Sequence, residues 1–377
     1  MSCDDLKYWL ALTLIKDIGP VTAKRLLSAF RTPQRVFEAS PNELKDVEGI
    51  NGSKINGISE FNSWDEVEKE INEINRHNVR IIRYTDEEYP ESLRYIDDSP
   101  VILYVKGSFI KKDKYAVAIV GSRNMTPYGK KITETIASEL ALCGITIVSG
   151  MARGIDAISH KSALKANGRS IAVLGSGLDN PYPPENKGLF DELSEKGCVI
   201  SEFPMGTPPN KKNFPQRNRL ISGLSLGVLV VEAAARSGSL ITAGCALDQG
   251  KDVFAVPGSI TSANSEGTHE LIKKGAKLVQ KAEDILEDIA PHLKGLRGSA
   301  NGLSGESLSV NLPINLNGLE INDEEKAICN ILGSEPKHID IISREAGMQA
   351  GRVLGILLGL EIKGIVKQSE GKRFYIL

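Results

Sequence analysis

The sequence predicts an α/β protein: a Rossmann-like, doubly wound, mostly parallel sheet, with a small helical domain before it and a winged helix after it. Three observations carry this prediction. Between residues 117 and 258, apolar runs repeatedly end in glycine-marked turns: VAIVGSR (Val117–Arg123), ITIVSGMARGID (Ile145–Asp156), IAVLGSGLD (Ile171–Asp179), VLVVEAAARSGSLITA (Val228–Ala243) and DVFAVPGS (Asp252–Ser259). A β-branched run that stops at glycine and yields to helical period reads as a buried parallel strand entering a βα turn. Helix–glycine turn–helix units open the chain, and three helices with a short hairpin close it.

In order along the chain, LKYWLALTLI has helical period, and DIGPVTAKRLLSAF places Gly-Pro at a turn with Thr22 near the start of a second helix. SPNELKDVEGINGSKINGI repeats the unit, with Ser40 as N-cap, Pro41 in first position and a glycine turn at Gly49–Gly52. Such tandem units resemble helix-hairpin-helix or sterile-alpha-motif-like modules and assign a helical domain to residues 1–64. Next come a helix at Trp64–His77, a strand at Val79–Tyr84, then Tyr89–Gly107, a short polar loop and another apolar strand, which lead into the α/β domain proper at about Tyr115. Together they assign residues 65–291 to one extended Rossmann-like domain. Residues 292–318, rich in Gly, Ser, Asn and Leu, read as a flexible linker. Residues 319–377 give DEEKAICNIL, HIDIISREAG and QAGRVLGILLGLEIKG as helices and a hairpin around Glu370-Gly371, the winged-helix pattern. Its third helix, Gln349–Gly359, carries Arg352 but little other basic character, and it reads as a protein-contact or regulatory module.

Composition narrows the partners. With 377 residues, 41% hydrophobic and 25% charged, the chain has room for two or three domains with their own cores. A net charge of −2 does not announce a nucleic-acid partner, so any such binding has to come from a local basic patch. Cys3, Cys143, Cys198, Cys245 and Cys329 are scattered, without a CxxC pair or a histidine at metal spacing, and read as reduced thiols. The acidic opening MSCDDLKYWL and the lack of a membrane-length apolar run point to a cytoplasmic protein that makes no use of a membrane.

When several βα turns recur, they fall on one sheet edge, where open α/β sheets bind ligands. Gly121, Ser122 and Arg123 offer close backbone approach, a helix N-terminus and a planar fork for phosphate. The alternative is that Arg123 pairs locally, for instance with Asp156. SGMARGID adds Arg153, with Asp156 as a helix-start carboxylate that ties Arg123 or Arg153 in place, and His160 as an oriented structural histidine. KKNFPQRNR sets Lys211, Lys212, Arg217 and Arg219 around Phe214 and Asn218. Basic side chains interleaved with an aromatic suit single-stranded nucleic acid: the charges track the backbone and the ring stacks a base, worth roughly 1–3 kcal/mol. The alternative is a solvated charged loop. RSGSLITAG forms an anion-holding turn from Ser237, Gly238 and Ser239, without Walker A spacing. No metal set, no nucleophile–base pair and no carboxylate dyad emerges, so the edge reads as built to hold an anion, not to break bonds, and no cofactor is expected.

The motifs IVGSRNMTPYG, VSGMARGID, AVLGSGLDNPYPPEN, ISEFP, FPQRNRLISGLS, VVEAAARSGSLITA, FAVPGSI and LIKKGA, in this order, resemble the DNA-processing protein A family (DprA, also called Smf). The match runs through residues 80–280, with Ser159 and His269 as small departures. The resemblance implies a non-enzymatic recombination mediator that binds single-stranded DNA, dimerises and loads the recombinase RecA onto incoming strands during natural transformation. It implies a DNA pocket using Gly121, Ser122 and Arg123 for phosphates, extended by Lys211, Arg217 and Asn218, with Phe214 as the stacking ring. The rival reading is a phosphoribohydrolase-like enzyme on a similar sheet. Such enzymes carry a PGGxGTxxE segment, which VPGSITS and EGTHE echo only in interrupted form. A nicotinamide-dependent dehydrogenase is weakened by the absent GxGxxG.

Overall fold

The computed structural model describes residues 3–295, 323–332, 336–362, 365–369 and 371–376. The chain divides into two compact units, Met1–Ala300 and Asn301–Leu377. Of the expected linker, His292–Gly295 form a short 3-10 turn, and the remainder lies outside the described residues, as does the hairpin tip at Glu370.

In the first unit, six helices precede the sheet: α1 (Cys3–Leu14), α2 (Pro20–Phe30), α3 (Pro33–Glu38), α4 (Pro41–Lys45), α5 (Gly52–Ser59) and α6 (Trp64–Arg76). Local sequence dictates their starts. Pro20, Pro33 and Pro41 all occupy first-turn positions, where a missing N–H costs no helical bond. Ser40 accepts from the Glu43 amide while Glu43 accepts from the Ser40 amide, a complete capping box. Leu10, Leu12, Leu26, Val36, Leu44 and Val67 are buried, and Trp64 meets Phe61 edge-on at 5.1 Å between ring centres. This core runs without a break into the sheet layer through Tyr104, Leu189, Phe190 and Leu193.

The sheet has nine strands: β1 (Arg80–Arg83), β2 (Ile102–Gly107), β3 (Ala116–Val120), β4 (Thr146–Ser149), β5 (Ser170–Leu174), β6 (Cys198–Ser201), β7 (Gly227–Val230), β8 (Asp252–Ala255) and β9 (Lys277–Leu278). Their spatial order is β1-β2-β6-β5-β4-β3-β7-β8-β9. From β6 across to β9 all neighbours are parallel, whereas β1, β2 and β6 pair antiparallel. The predicted segment before Tyr115 therefore contributes two strands to the same sheet. β6, which joins the parallel and antiparallel parts, and the two-residue β9 are additions to the sequence reading.

Along with α7 (Glu91–Arg94), the remaining helices are α8 (Pro127–Leu142), α9 (Ile155–Lys165), α10 (Lys187–Lys196), α11 (Asn213–Gly223), α12 (Gly238–Asp248), α13 (Glu266–Lys273) and α14 (Ala282–Ile289). Both sheet faces are covered, as strands buried on both sides require. Ile136 and Leu140 of α8 and Ile285 of α14 pack with Val117, Ile119, Ile147 and Phe254, while Leu220, Ala243 and Ala246 of α11 and α12 pack with Ala118, Val148, Val173 and Val228. The chain winds outward from β3 in one direction to β6 and from β7 in the other to β9. The switch point thus lies between β3 and β7.

The second unit is a winged helix. Helices α15 (Asp323–Ile331), α16 (Ile339–Ala346) and α17 (Ala350–Ile362) accompany a sheet of β10 (Lys337–His338), β11 (Val366–Ser369) and β12 (Arg373–Ile376). Ile328, Ile342, Val353, Leu357, Leu360, Val366 and Phe374 fill its core. Arg352 of α17 is paired with Glu324.

Phe254 on β8 is fully buried, and a Cβ at Gly227 on β7 would stand 2.6 Å from its ring. Phe254→Ala is expected to lower stability by about 3–5 kcal/mol, because the two layers cannot collapse onto the space left. Urea unfolding of wild type and variant measures it.

Candidate functional site

The carboxyl ends of β3, β4 and β5 are tied into one edge before any ligand is considered. Ser149 at the end of β4 donates its hydroxyl to the Ile119 carbonyl of β3 at 2.6 Å. The Ile155 amide donates to the Ser122 carbonyl at 3.2 Å, joining the turn after β4 to the turn after β3. Gly154 makes that approach possible: its φ is +77°, and a Cβ would fall 2.2 Å from the Ser122 carbonyl oxygen. Asp156, in the first turn of α9, accepts from the Gly150 and Ala152 amides at 3.2 and 3.4 Å. Burial holds its carboxyl above the ordinary range, opposed by the charge of Arg217.

Arg217 comes from α11, and its placement corrects the sequence reading. KKNFPQRNR is not a charged loop: from Asn213 onward it is helix, with Pro215 tolerated in its first turn. Residues 217 and 219, two apart on a helix, face opposite ways. Arg217 is only 4% exposed and donates to the Gly150 carbonyl at 2.8 Å and to the Val173 carbonyl, bracing the ends of β4 and β5 from beneath. Burial pulls its pKa down to about 10, opposed by Asp156. Arg219, expected among the anion-holding residues, lies on the back of α11, bound to Glu202 and, at 3.0 Å, to Asp98. Its charge is committed inside the protein.

Phe214 lies one turn before Arg217, on the same helix face. Its ring rests on the backbone at Gly175, where a Cβ would meet the ring at 2.9 Å. The Arg123 guanidinium carbon stands 5.3 Å from the ring centre and that of Arg217 5.9 Å, both within cation–π range. Arg123 is exposed and lies over Phe214, not in the expected pairing with Asp156. Tyr182, missed by the sequence reading, stands 5.9 Å from Phe214 ring to ring. Its turn is fastened by Asn186, which donates to the Met151 carbonyl at 2.9 Å. Arg153 is exposed at the rim and paired with Glu185, not Asp156. A small cleft lined by Arg123, Gly150, Ala152, Arg153, Tyr182, Phe214 and Arg217 results. An aromatic floor with an exposed arginine above it and a second at the rim suits a planar ring attached to an anion.

The other expected residues sit around this cleft. Gly121 and Ser122 form the turn leading to Arg123, and the Ser122 hydroxyl accepts from the Asn124 amide at 3.2 Å. Lys211 and Lys212 are exposed just before α11. Asn218 is 8% exposed; it accepts from Arg217 and donates to the Gly238 carbonyl at 3.3 Å, linking α11 to α12. Ser237, Gly238 and Ser239 form the start of α12 beyond Asn218, where the Ser237 hydroxyl accepts from the Ser239 amide as an N-cap. His160 is buried, with Nδ1 2.7 Å from the Ser170 hydroxyl, and burial drives its pKa down to about 3, so it stays neutral. Among the described residues no group of His, Cys, Asp or Glu could hold a metal ion, and no helix is long and apolar enough to cross a membrane.

Comparison with known proteins adds to this geometry. Residues 80–290 match the family model for DNA recombination-mediator protein A, residues 318–372 that for the DprA winged helix domain, and residues 10–59 a SAM-like helix-hairpin-helix tandem. The chain is 35% identical to the protein Smf of Synechocystis, over 99% of each chain. It is similar to the X-ray structure of DNA processing protein A from Streptococcus pneumoniae, with 36% identity and a TM-score of 0.66, over 75% of this chain and 97% of that one. It is also similar to DNA processing protein A from Helicobacter pylori, a structure described for its single-stranded DNA binding mode. There the identity is 32% and the TM-score 0.51, over 57% of this chain and 96% of that one.

The back face of α11 generates a pH dependence. Burial pushes the Glu202 carboxyl up to about 7, opposed by Arg219. A carboxyl whose folded pKa is raised contributes stability that is complete below the unfolded value and is lost as pH rises through the folded one. Relative to Glu202→Gln, the wild type is therefore expected to lose thermal stability as pH rises from about 4.5 towards 7. Melting curves of both proteins across that range check it, and parallel curves would remove Glu202 as the titrating group.

Proposed function

The chain belongs to the DNA recombination-mediator protein A family, also called DprA or Smf, and on that premise we propose that it binds single-stranded DNA at the Arg123–Phe214 cleft. We further infer that it is a cytoplasmic, homodimeric recombination mediator that protects incoming DNA and loads RecA onto it during natural transformation. The observation that carries the DNA reading is the Phe214 ring, floored by Gly175 and Arg217, with exposed Arg123 over it. Family membership and the single-stranded DNA binding mode described for the Helicobacter pylori protein support the ligand. The RecA, transformation and dimer steps rest on the family resemblance.

In this reading Arg123 and the Gly121–Ser122 turn meet backbone phosphate, with Lys211 and Arg153 extending the positive track. An unstacked base lies against Phe214 beside Tyr182. Duplex DNA is disfavoured because its bases are stacked and out of the ring's reach. Arg217 and Asn218 serve from below, holding the carbonyls and helix ends that shape the floor, and Ser237–Ser239 flank the site through Asn218. The role is binding without bond cleavage.

The proposal predicts that Arg123→Ala combined with Lys211→Ala weakens oligo-thymidine binding by about tenfold or more and flattens its salt dependence, since fewer counterions are released. Phe214→Ala is expected to cost about 1–3 kcal/mol with the salt slope unchanged. Anisotropy titrations of the variants measure both. Affinity unchanged in the double variant would overturn the assignment of the cleft.

A further inference from the structure

The switch point between β3 and β7 is where an open α/β sheet takes its ligand, with the phosphate on the N-terminus of the helix after the first strand. Here that helix is α8, sixteen residues long, capped by Thr126 and with Pro127 in first position. The seat is already filled. Glu232, just beyond β7 and 3% exposed, lies with one carboxylate oxygen 2.9 Å from the Thr126 amide and the other on the Thr126 hydroxyl. Space is tight on the helix side as well, for a Cβ at Gly129 would fall 2.3 Å from the Glu232 carboxylate carbon. A negative group at this helix end is favoured by the helix dipole, as a phosphate would be.

We propose that Glu232 is a positioning residue: an internal carboxylate that occupies the phosphate seat of the sheet and so holds the Gly121–Thr126 turn with Arg123 over Phe214. Two consequences follow from the geometry. A dinucleotide or nucleotide phosphate finds no room at the switch point, which moves ligand binding to the β4–β5 side, where the aromatic floor lies. The Arg123 turn is also anchored at both ends. Its start is held by β3 and by the bond from the Ile155 amide to Ser122, and its end by Glu232 on Thr126. Between them, Asn264 donates to the Asn124 carbonyl at 3.0 Å. The consequence for DNA rests on the function proposed above; the anchoring does not.

The test uses full-length protein and the variants Glu232→Ala and Glu232→Gln, with hydrogen–deuterium exchange followed across residues 121–130. Exchange there is expected to rise about tenfold or more in Glu232→Ala, as loss of a buried charged acceptor implies, and less in Glu232→Gln, which keeps one acceptor oxygen. Inorganic phosphate, compared with chloride at equal ionic strength, is expected to restore protection in Glu232→Ala and to leave the wild type unchanged. Oligo-thymidine affinity should fall in Glu232→Ala alongside the exchange effect. Wild-type exchange rates in Glu232→Ala, or no response of that variant to phosphate, would overturn the proposal. Should Glu232→Ala fail to fold, Glu232→Gln decides: exchange above wild type supports the anchoring and wild-type exchange overturns it. A wild type that binds no oligonucleotide would defeat the DNA reading and leave the exchange result to decide Glu232.

Discussion

The binding edge depends on one buried cation. Arg217 brings a full charge to the carboxyl ends of β4 and β5, where it satisfies the Gly150 and Val173 carbonyls and faces Asp156. Asp156 in turn gathers the amides of the turn after β4. The burial of each is offset by these hydrogen bonds and by the opposite charge of the other, since a buried ion left without compensation costs several kcal/mol. Together they lock two strand ends, α9 and α11 into one arrangement. Phe214 is fixed in consequence: it stands one helical turn before Arg217 and lies against the backbone at Gly175.

The upper side of the cleft depends on a second buried charge of opposite sign. Glu232 closes the switch point from within and fastens the far end of the turn that carries Arg123. A sheet of this topology ordinarily leaves that point open to a nucleotide phosphate. Filling it with a carboxylate leaves the accessible positive charge on Arg123, in the turn after β3, and on Arg153, after β4. The exposed cations Arg123 and Arg153 line a cleft that buried Arg217 and Asp156 shape from below.

Much of this was legible in the sequence, and the gaps have physical causes. Most of the parallel strands announced themselves because strands buried on both faces are largely apolar and several of these run into glycine-marked turns. β6 escaped notice because CVIS runs into Glu202 and Pro204 and not into a glycine-marked turn. The winged helix followed from helical period and a glycine hairpin. Arg123 could be singled out because a cation has little structural use at a strand's carboxyl end, Gly121 because it marks the turn there, and Phe214 because a ring set among basic residues has little use on a solvated surface. Arg217 and Arg219 were misjudged for the converse reason: charge predicts exposure, and nothing in QRNR reveals that partners from β4, β5 and the segment after β6 will surround it. Tyr182 had a signal, an aromatic in the short turn after LGSGLD on the same sheet edge. Its pairing with Phe214 appears only when α11 folds across β5.

The most direct test of the account is an anisotropy titration of the wild-type protein into fluorescent oligo-thymidine at two salt concentrations, with unlabelled duplex as competitor. The account predicts tight binding that weakens steeply with salt and is not displaced by duplex. No binding at low salt, or displacement by duplex as effective as by single strand, would contradict it.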